Sequence, residues 1–333
     1  MNRSEDRFEV RSYRDISESD WNVFVGSCST GNLGLSYEFA AEDVEIGSKP
    51  ISFAVIDRLD GRILFAAVTF KTWSGKLVMR NGAAVANTLP RHYFGHFAQF
   101  VKRYIRLLLK EQKSDALYVE WPAFCSVNWD NPCINPLVFM GCEPAIRYTW
   151  MVDLNVSDEV LLKRCEITTR QAIRKLSQDD SICVKCFDGD VPIDVIEEYW
   201  KISEDTYNRN QASPRNFGYY RALVNGLDNA RRKVYVLQEK GSGKIIVGAI
   251  VILCVNSAQY AFGASDKSKP IGASKYLIFE AMKDLKKKGI EHFEVGGAYP
   301  HLDKSDKRRG ISDFKKSFGG CLFPIVSGVF TGC

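Results

Sequence analysis

The second half of the chain alternates apolar runs with turn signals in a β-β-β-α-β order. β-rich runs occupy 233–239, 245–255 and 258–264, and a Gly-Ser-Gly turn of the hairpin kind joins the first two. In 275–289 apolar residues recur at helical spacing, lysines fill the last turn, and a glycine follows where a helix C-cap belongs. A further apolar run at 290–299 predicts a buried strand. The pattern therefore predicts a meander, a helix and a closing strand.

The first half of the chain repeats this order. Strand-like runs at 51–57, 62–71 and 77–83 precede an amphipathic helix at 92–112 and a strand at 116–124. An element order that recurs at nearly constant spacing indicates a duplicated domain, although coincidence among common α+β elements stays open. Consecutive hairpins argue against a doubly wound parallel sheet.

Length and charge are compatible with this interpretation. A chain of 333 residues, 45% hydrophobic and 26% charged, is sufficient for two globular cores. The net charge of +5 suits an anionic ligand but falls short of a dedicated duplex-binding protein. The N-terminus lacks the apolar stretch of a signal peptide, and no window reaches the ~18 apolar residues of a membrane span. A cytoplasmic protein is expected, with peripheral membrane contact left open.

The cysteines do not form a recognisable framework. Ten are scattered along the chain, as expected of free thiols in a reducing compartment. The one CxxC pair, Cys183 and Cys186, has neither a second pair nor a nearby histidine, so no metal site is predicted.

Four segments carry a family resemblance. They are GCEPAIRYTWMVDLN (141–155), TTRQAIRKLSQ (168–178), EYWKISEDTYNRN with FGYYRAL (198–223), and GISDFKKSFGG (310–320). Together they resemble the Fem family of aminoacyl transferases, which belongs to the GNAT superfamily, and the last segment is the most specific. The resemblance extends over about 50–325.

The resemblance implies a fold class of α+β with two tandem GNAT-like domains, each a mixed, mostly antiparallel sheet flanked by helices. The first domain is expected at 1–150 and the second at 151–333, with the acceptor in the cleft between them. No long heptad stretch interrupts the second domain, so the coiled-coil arm of some family members is missing. That arm is thought to engage tRNA, and its absence leaves the donor open.

The resemblance also implies an enzyme that transfers an amino acid or acyl group to an amine of a cell-envelope precursor. The expected acceptor is a nucleotide- or lipid-linked peptide or glycan, the co-substrate is aminoacyl-tRNA or acyl-CoA, and no cofactor is tightly bound. Two alternatives remain: an acyl-CoA-dependent N-acyltransferase acting on a nucleotide-linked amino sugar, and a non-catalytic glycan-binding protein. The oligomeric state is not predicted.

Lys315 and Phe314 are the predicted catalytic residues. Acyl transfer needs a positive or hydrogen-bonding group near the oxygen that gains charge, and the resemblance places Lys315 there. Phe314 would pack beside the terminal base or acyl group of the donor. The alternative is a surface helix in which Phe314 and Phe318 are buried while Lys315 and Lys316 face solvent.

Donor phosphates have two candidate contacts. The segment containing Lys269, Gly272 and Ser274 partly matches the loop by which GNAT enzymes hold a pyrophosphate at a helix N-terminus. Arg308 and Arg309 lie in a basic run before the closing motif and would cover a phosphate. In both cases an ordinary solvated loop is the alternative.

Acceptor contacts are predicted on two helices. Arg170 and Arg174 share a helix face at i, i+4 spacing and would meet an anionic group, unless that face is only solvated. Tyr207 and Tyr220 fall where the family carries acceptor-site tyrosines, although helix tyrosines more often lie at the edge of a core. No general base is assigned.

Overall fold

The computed structural model describes residues 7–28, 35–37, 40, 49–72, 75–79, 82–89, 94–120, 140–212, 214–226, 232–254, 256–303 and 305–332. The chain forms two compact units, one of Met1–Arg147 with Ile325–Cys333 and the other of Tyr148–Pro324. Residues 325–333, expected in the second domain, group with the first unit.

The described residues of the first unit form two α-helices and two sets of paired strands. Its helices are α1 (Glu18–Ser27) and α2 (Phe94–Glu111), and its strands are β1 (Phe8–Ser12), β2 (Lys49–Pro50), β3 (Phe53–Asp57), β4 (Ile63–Ala67), β5 (Thr69–Lys71), β6 (Leu77–Met79), β7 (Ala84–Val85) and β8 (Ala116–Glu120). One sheet has the order β1-β3-β4-β7 and is antiparallel throughout. In the other set, β2 pairs with β5, β5 with β6, and β6 runs parallel to β8.

The strand predicted at 62–71 is two strands. It breaks at Val68, so that β4 joins the first sheet while β5 pairs with β6. The strand predicted at 116–124 is β8 over Ala116–Glu120, and 121–124 lie outside the described residues. The predicted helix is α2, whose Phe97, Val101 and Ile105 are fully buried in the core. The crossover from β6 through α2 to β8 is the parallel connection expected of a β-α-β unit.

Where the second unit is described, its residues form six α-helices and one sheet of its own strands. Its helices are α3 (Asp158–Arg164), α4 (Ile167–Leu176), α5 (Ile193–Arg209), α6 (Phe217–Arg221), α7 (Ala273–Lys287) and α8 (Lys307–Lys316), and its strands are β10 (Ile182–Phe187), β11 (Arg232–Glu239), β12 (Ile245–Cys254), β13 (Ser257–Ser265) and β14 (His292–Ala298). Strand β9 (Glu143–Asp153) reaches this unit from Tyr148 onward, and β15 (Cys321–Thr331) leaves it after Pro324. The order is β10-β11-β12-β13-β14-β9.

The predicted β-β-β-α-β order is confirmed in this unit. β11, β12 and β13 form an antiparallel meander, α7 follows, and β14 returns parallel to β13. In the core, the apolar side of α7 packs against the sheet through residues that include Leu277, Met282 and Leu285. Both units therefore place a helix between two parallel strands, which confirms the predicted α+β class with mostly antiparallel sheets.

The sequence after Asp158 predicts one helical stretch over 159–177, and the structure has two helices there. Ser157 caps α3 by accepting a hydrogen bond from the Val160 amide, and the chain extends at Cys165 and Glu166 before α4 begins. No helix among the described residues is long and apolar enough to cross a membrane.

Candidate active site

Helix α8 carries Lys315 in its last turn and is held at its start and in its middle. Asp306 caps the N-terminus by accepting from the Arg308 amide at 2.8 Å. In the middle of the helix, Ser312 is 1% exposed, and its hydroxyl accepts from Trp150 Nε1 at 3.2 Å and from the Tyr299 amide at 3.0 Å. These two hydrogen bonds tie the helix to β9 and to the end of β14, and so position the residue one turn later, Lys315.

The two lysines of the closing motif have different environments. Lys315 is half-buried, whereas Lys316 is exposed. A β-carbon added at Gly296, which has φ of +105°, would lie 2.6 Å from Lys315 Nζ. Gly296 thus leaves the space that the ammonium occupies. Phe314 is half-buried and meets Phe318 edge to face, with ring centroids 5.5 Å apart.

Glu294 on β14 supplies the charge opposite Lys315. Its carboxylate is buried and accepts hydrogen bonds from Thr149 Oγ1 at 2.8 Å and from Gln259 Nε2 at 3.1 Å. Burial raises the pKa of Glu294, because a carboxylate loses hydration there. Burial lowers the pKa of Lys315, and the charge of Glu294 partly offsets this by favouring the ammonium.

The β13–β14 ladder ends at this carboxylate. The parallel register runs from Ser257 opposite His292 to Gln259 opposite Glu294, although β13 continues to Ser265 and β14 to Ala298. Both strands are irregular just beyond this point. The register between β12 and β13 shifts after Tyr260, and that between β14 and β9 shifts after Glu294. Such bulges bend strands away from regular pairing, so backbone groups of β13 and β14 become available beside Lys315.

The predicted acceptor tyrosines lie on α5 and α6. Tyr220 is fully buried, with its hydroxyl 2.7 Å from Ser203 Oγ and its ring against Phe262. Tyr207 is half-buried beside it. On β12, Ile250 is paired with Phe262 of β13, and Ile252 is paired with Gln259. Ile250 and Ile252 are two residues apart and point to one face of the sheet, so their partners Phe262 and Gln259 point to that face as well. That is also the face of Glu294, since Gln259 and Glu294 are paired.

Arg170 and Arg174 are on the other side of this sheet. Gly248 and Ala249 are neighbours on β12 and therefore point to opposite faces of the sheet. Tyr199 of α5 packs on Gly248. Tyr235, which is paired with Ala249, donates its hydroxyl to Asp284 of α7 at 2.8 Å on the other face. Hence α7 and the α4 helix packed on it lie opposite the face of Glu294. The Arg170 guanidinium donates to the carbonyl oxygens of Lys163 and Cys165, which joins α3 to α4, and Arg174 is exposed. These hydrogen bonds of Arg170 are to backbone carbonyl oxygens and do not involve Lys315, and the acceptor role of both arginines stays a prediction.

The predicted phosphate loop forms the N-terminus of α7. Gly272 has φ of +86°, and an added β-carbon would lie 2.4 Å from Ala172 Cβ, so only glycine allows α7 to approach α4 this closely. Lys269 Nζ donates to Ser265 Oγ at 2.7 Å. Burial and the nearby Arg209 lower the pKa of Lys269. Ser274 is half-buried in the first turn of α7. The loop follows β13, on the side toward which β13 and β14 separate.

The basic run before the closing motif is mostly helix. Arg308 pairs with Asp306 at 2.6 Å. Arg309 pairs with Asp313 at 3.0 Å and donates to the carbonyl oxygens of Pro300 and Leu302. Lys304 lies outside the described residues. These ion pairs hold the start of α8, and the predicted phosphate contacts of both arginines stay predictions.

The CxxC pair does not form a site. Cys183 and Cys186 both lie on β10, and their odd spacing points them to opposite faces of the strand. Across the residues that the structure describes, no three histidine, cysteine, aspartate or glutamate side chains are grouped so as to hold a metal ion.

Four residues of this site are not among the residues predicted from the sequence: Glu294, Gln259, Thr149 and Ser312. A signal was present for Glu294, because it is an acid directly between the apolar Phe293 and Val295 in a run that reads as a buried strand. Buried acids are uncommon without a specific partner or function. The other three are ordinary polar residues whose importance comes only from contacts with distant parts of the chain.

Several solved structures are similar to most or nearly all of the chain. A crystal structure of FemX is similar over 96% of both chains, with a TM-score of 0.67 and 14% identity. A tandem GNAT protein from the clavulanic acid biosynthesis pathway is similar over 98% of both chains, with a TM-score of 0.57 and 12% identity. The C-terminal domain of a putative lysylphosphatidylglycerol synthetase from Agrobacterium fabrum gives 80% coverage of both chains, a TM-score of 0.54 and 15% identity. At such identities the similarity establishes the fold, which is the predicted GNAT-like one.

The FemAB family model matches residues 224–331, which include β11 to β14 and the whole of α8. This match confirms the predicted resemblance to the Fem family. Together with the fold it indicates a transferase of the acyl or aminoacyl class. No curated protein sequence matches the chain at a significant level.

Proposed function

We propose that the protein transfers an amino acid or another acyl group to an amino group of a cell-envelope precursor, a peptidoglycan peptide or a polysaccharide amino sugar. The observation that carries the proposal is the half-buried Lys315, held beside the buried Glu294 at the point where β13 and β14 stop pairing. A positive charge in a partly desolvated place acts strongly on a nearby oxyanion.

In the proposed reaction the acceptor amine attacks the carbonyl carbon of the donor. The carbonyl oxygen becomes negative in the tetrahedral intermediate, and the Lys315 ammonium stabilises it. The intermediate then collapses, the bond to the donor oxygen or sulfur breaks, and the proton of the amine passes to the leaving group directly or through solvent. Glu294 is a positioning residue, because it favours the charged form of Lys315 without touching the reacting atoms.

The donor is proposed to lie along the separated ends of β13 and β14, with Phe314 beside its acyl group or terminal base. A donor phosphate would approach the α7 N-terminus near Lys269, Gly272 and Ser274, where the helix dipole favours an anion. Aminoacyl-tRNA is the first proposed donor, and acyl-CoA used with a nucleotide-linked amino sugar is the second. Tyr207 is proposed to contact the acceptor, since it lies on the face of Glu294.

A transfer assay tests this proposal. The purified protein is incubated with an aminoacyl-tRNA mixture or with acetyl-CoA, together with a nucleotide-linked muramyl peptide or amino sugar, and products are identified by mass spectrometry. A mass increase of the acceptor with one donor supports transfer and names the donor class. If neither donor yields product while the protein still binds envelope glycans, the chain is instead a glycan-binding protein.

The pH profile of that transfer tests the role of Glu294. The ammonium of Lys315 is the active form, so activity is expected to fall on the alkaline side at a pH below the ordinary lysine range, because burial lowers the pKa of Lys315. Glu294→Gln removes the negative charge that favours the ammonium, and therefore shifts this alkaline limb to still lower pH. The measurement is kcat against pH for both proteins.

Glu291→Gln is the matched control, because Glu291 is exposed three residues earlier in the chain. Its alkaline limb is expected to coincide with that of the wild type. An unchanged limb in the Glu294→Gln variant would contradict the electrostatic role of Glu294, even if its overall activity falls.

A further inference from the structure

Helix α2 of the first unit concentrates positive charge. Segment 94–113 carries five basic residues and one acidic residue. Residues 1–147 as a whole carry equal numbers of basic and acidic residues. The charge of α2 is therefore a local excess in a neutral part of the chain, and long-range attraction of an anionic partner would be directed at this helix.

The basic residues occupy the solvent side of α2. Arg103, Arg106 and Lys110 recur at helical spacing and are exposed, opposite the side that packs in the core. Among them lies Leu107, 52% exposed. We call these four residues the α2 basic face.

Both arginines are supported by aromatic rings. The Arg103 guanidinium lies 5.7 Å from the ring centroid of Phe100, and that of Arg106 lies 5.7 Å from the centroid of Phe330. Such stacking restrains a guanidinium, so less side-chain entropy is lost when it binds. A planar guanidinium offers paired donors that match the oxygens of a phosphate.

We propose that the α2 basic face docks on a bilayer surface that contains anionic phospholipid. The lipid phosphates pair with Arg103, Arg106 and Lys110, and Leu107 enters the boundary between headgroups and acyl chains. An RNA backbone would satisfy the same cations, but it offers no apolar layer for Leu107, which is why a membrane is the better match. Nothing in the proposed transfer reaction requires this surface, so the two proposals can fail independently.

Vesicle sedimentation tests the proposal with the full-length protein. Vesicles of phosphatidylcholine alone and of phosphatidylcholine with phosphatidylglycerol are compared at low and at physiological salt. The wild type is expected to sediment with the anionic vesicles only, and less at higher salt because the charges are screened. The triple variant Arg103→Ser/Arg106→Ser/Lys110→Ser is expected to bind them about 100-fold more weakly, since each basic residue near such a surface contributes about 1 kcal/mol.

A matched triple variant controls for net charge. Lys185, Lys201 and Lys240 are exposed in the second unit, and their replacement by serine changes the net charge equally. That variant should bind vesicles nearly as the wild type does. Leu107→Ser keeps every charge and should weaken binding several-fold, which separates insertion from pure electrostatic attraction. Melting curves verify that each variant is folded.

Three results would overturn the proposal: no wild-type binding to anionic vesicles at low salt, equal loss in both triple variants, or unchanged binding by the α2 triple variant. A homopolymer RNA is run in parallel by filter retention. Retention of RNA that depends on α2, with vesicles ignored, assigns the face to nucleic acid instead of lipid.

Discussion

Replacing Lys315 with alanine is expected to lower kcat about 100- to 1,000-fold, the usual effect of removing one group that stabilises an oxyanion. The thermal midpoint is expected to change little. Burial lowers the pKa of Lys315, which means that the fold disfavours its charge, so losing the ammonium removes an unfavourable contribution together with some packing against Gly296. Steady-state kinetics of transfer and a melting curve measure the two effects on one preparation.

Lys316→Ala is the matched control for that variant. Lys316 is the next residue of α8, it is exposed, and it contributes the same formal charge. Its replacement should leave kcat within about twofold of the wild type, since surface substitutions away from special features have small effects. A well-folded Lys315→Ala protein with full activity would show that the ammonium is not part of the reaction centre.

The difference between Lys315 and Lys316 shows how much of the site can be predicted from the sequence. Helical spacing alone predicts that Phe314 and Phe318 share the buried side, and they do meet edge to face. Helical spacing cannot show that Lys315, which follows Phe314, points toward β14 instead of solvent. Its direction depends on Ser312, whose partner Trp150 is far away in the chain. The resemblance to a family supplied the choice that local pattern could not.

The meander of β11 to β13 could be predicted from local sequence pattern, whereas the role of the Glu294 carboxylate could not. Strands β11 to β13 are contiguous and separated by short turns, so their pattern and pairing are local. Glu294 acquires its role from Thr149 and Gln259, which reach it from two other strands. Contacts between residues distant in sequence leave no periodic signal, so a polar triad of this kind is visible only after folding.

The glycines of the closing motif also have roles that the sequence alone does not predict correctly. From the sequence alone, Gly310 and the pair Gly319-Gly320 are expected to form turns on either side of the closing motif. Gly310 lies inside α8, and nothing is within 4 Å of a β-carbon added there. Gly319 ends the motif with φ of +78° and lies against the backbone of α3. The interpretation of Gly310 as a turn was therefore wrong, because a single glycine in a helical pattern is indistinguishable from a cap.

Gly319→Ala is expected to destabilise the protein by about 2–4 kcal/mol, the range of strained or overpacked positions. Its β-carbon would lie 2.3 Å from the Arg164 carbonyl oxygen and 2.5 Å from its carbon, both of them backbone atoms that cannot rotate away. The same junction contains the hydrogen bond from the Glu166 amide to the Ser317 carbonyl at 2.9 Å, so relief of the clash would stretch it. Denaturant unfolding measures the change.

Gly310→Ala is the matched control for this substitution, because it adds the same methyl group within the same motif. Alanine in an open helix interior is expected to stabilise by up to about 1 kcal/mol. The pair therefore separates two explanations of the motif. If both glycines serve flexibility, both variants should lose activity without a large change in stability. If Gly319 permits a close contact between α3 and the end of α8, only Gly319→Ala should unfold at a lower denaturant concentration. The folded fraction of that variant should also have low transfer activity, because Lys315 is displaced.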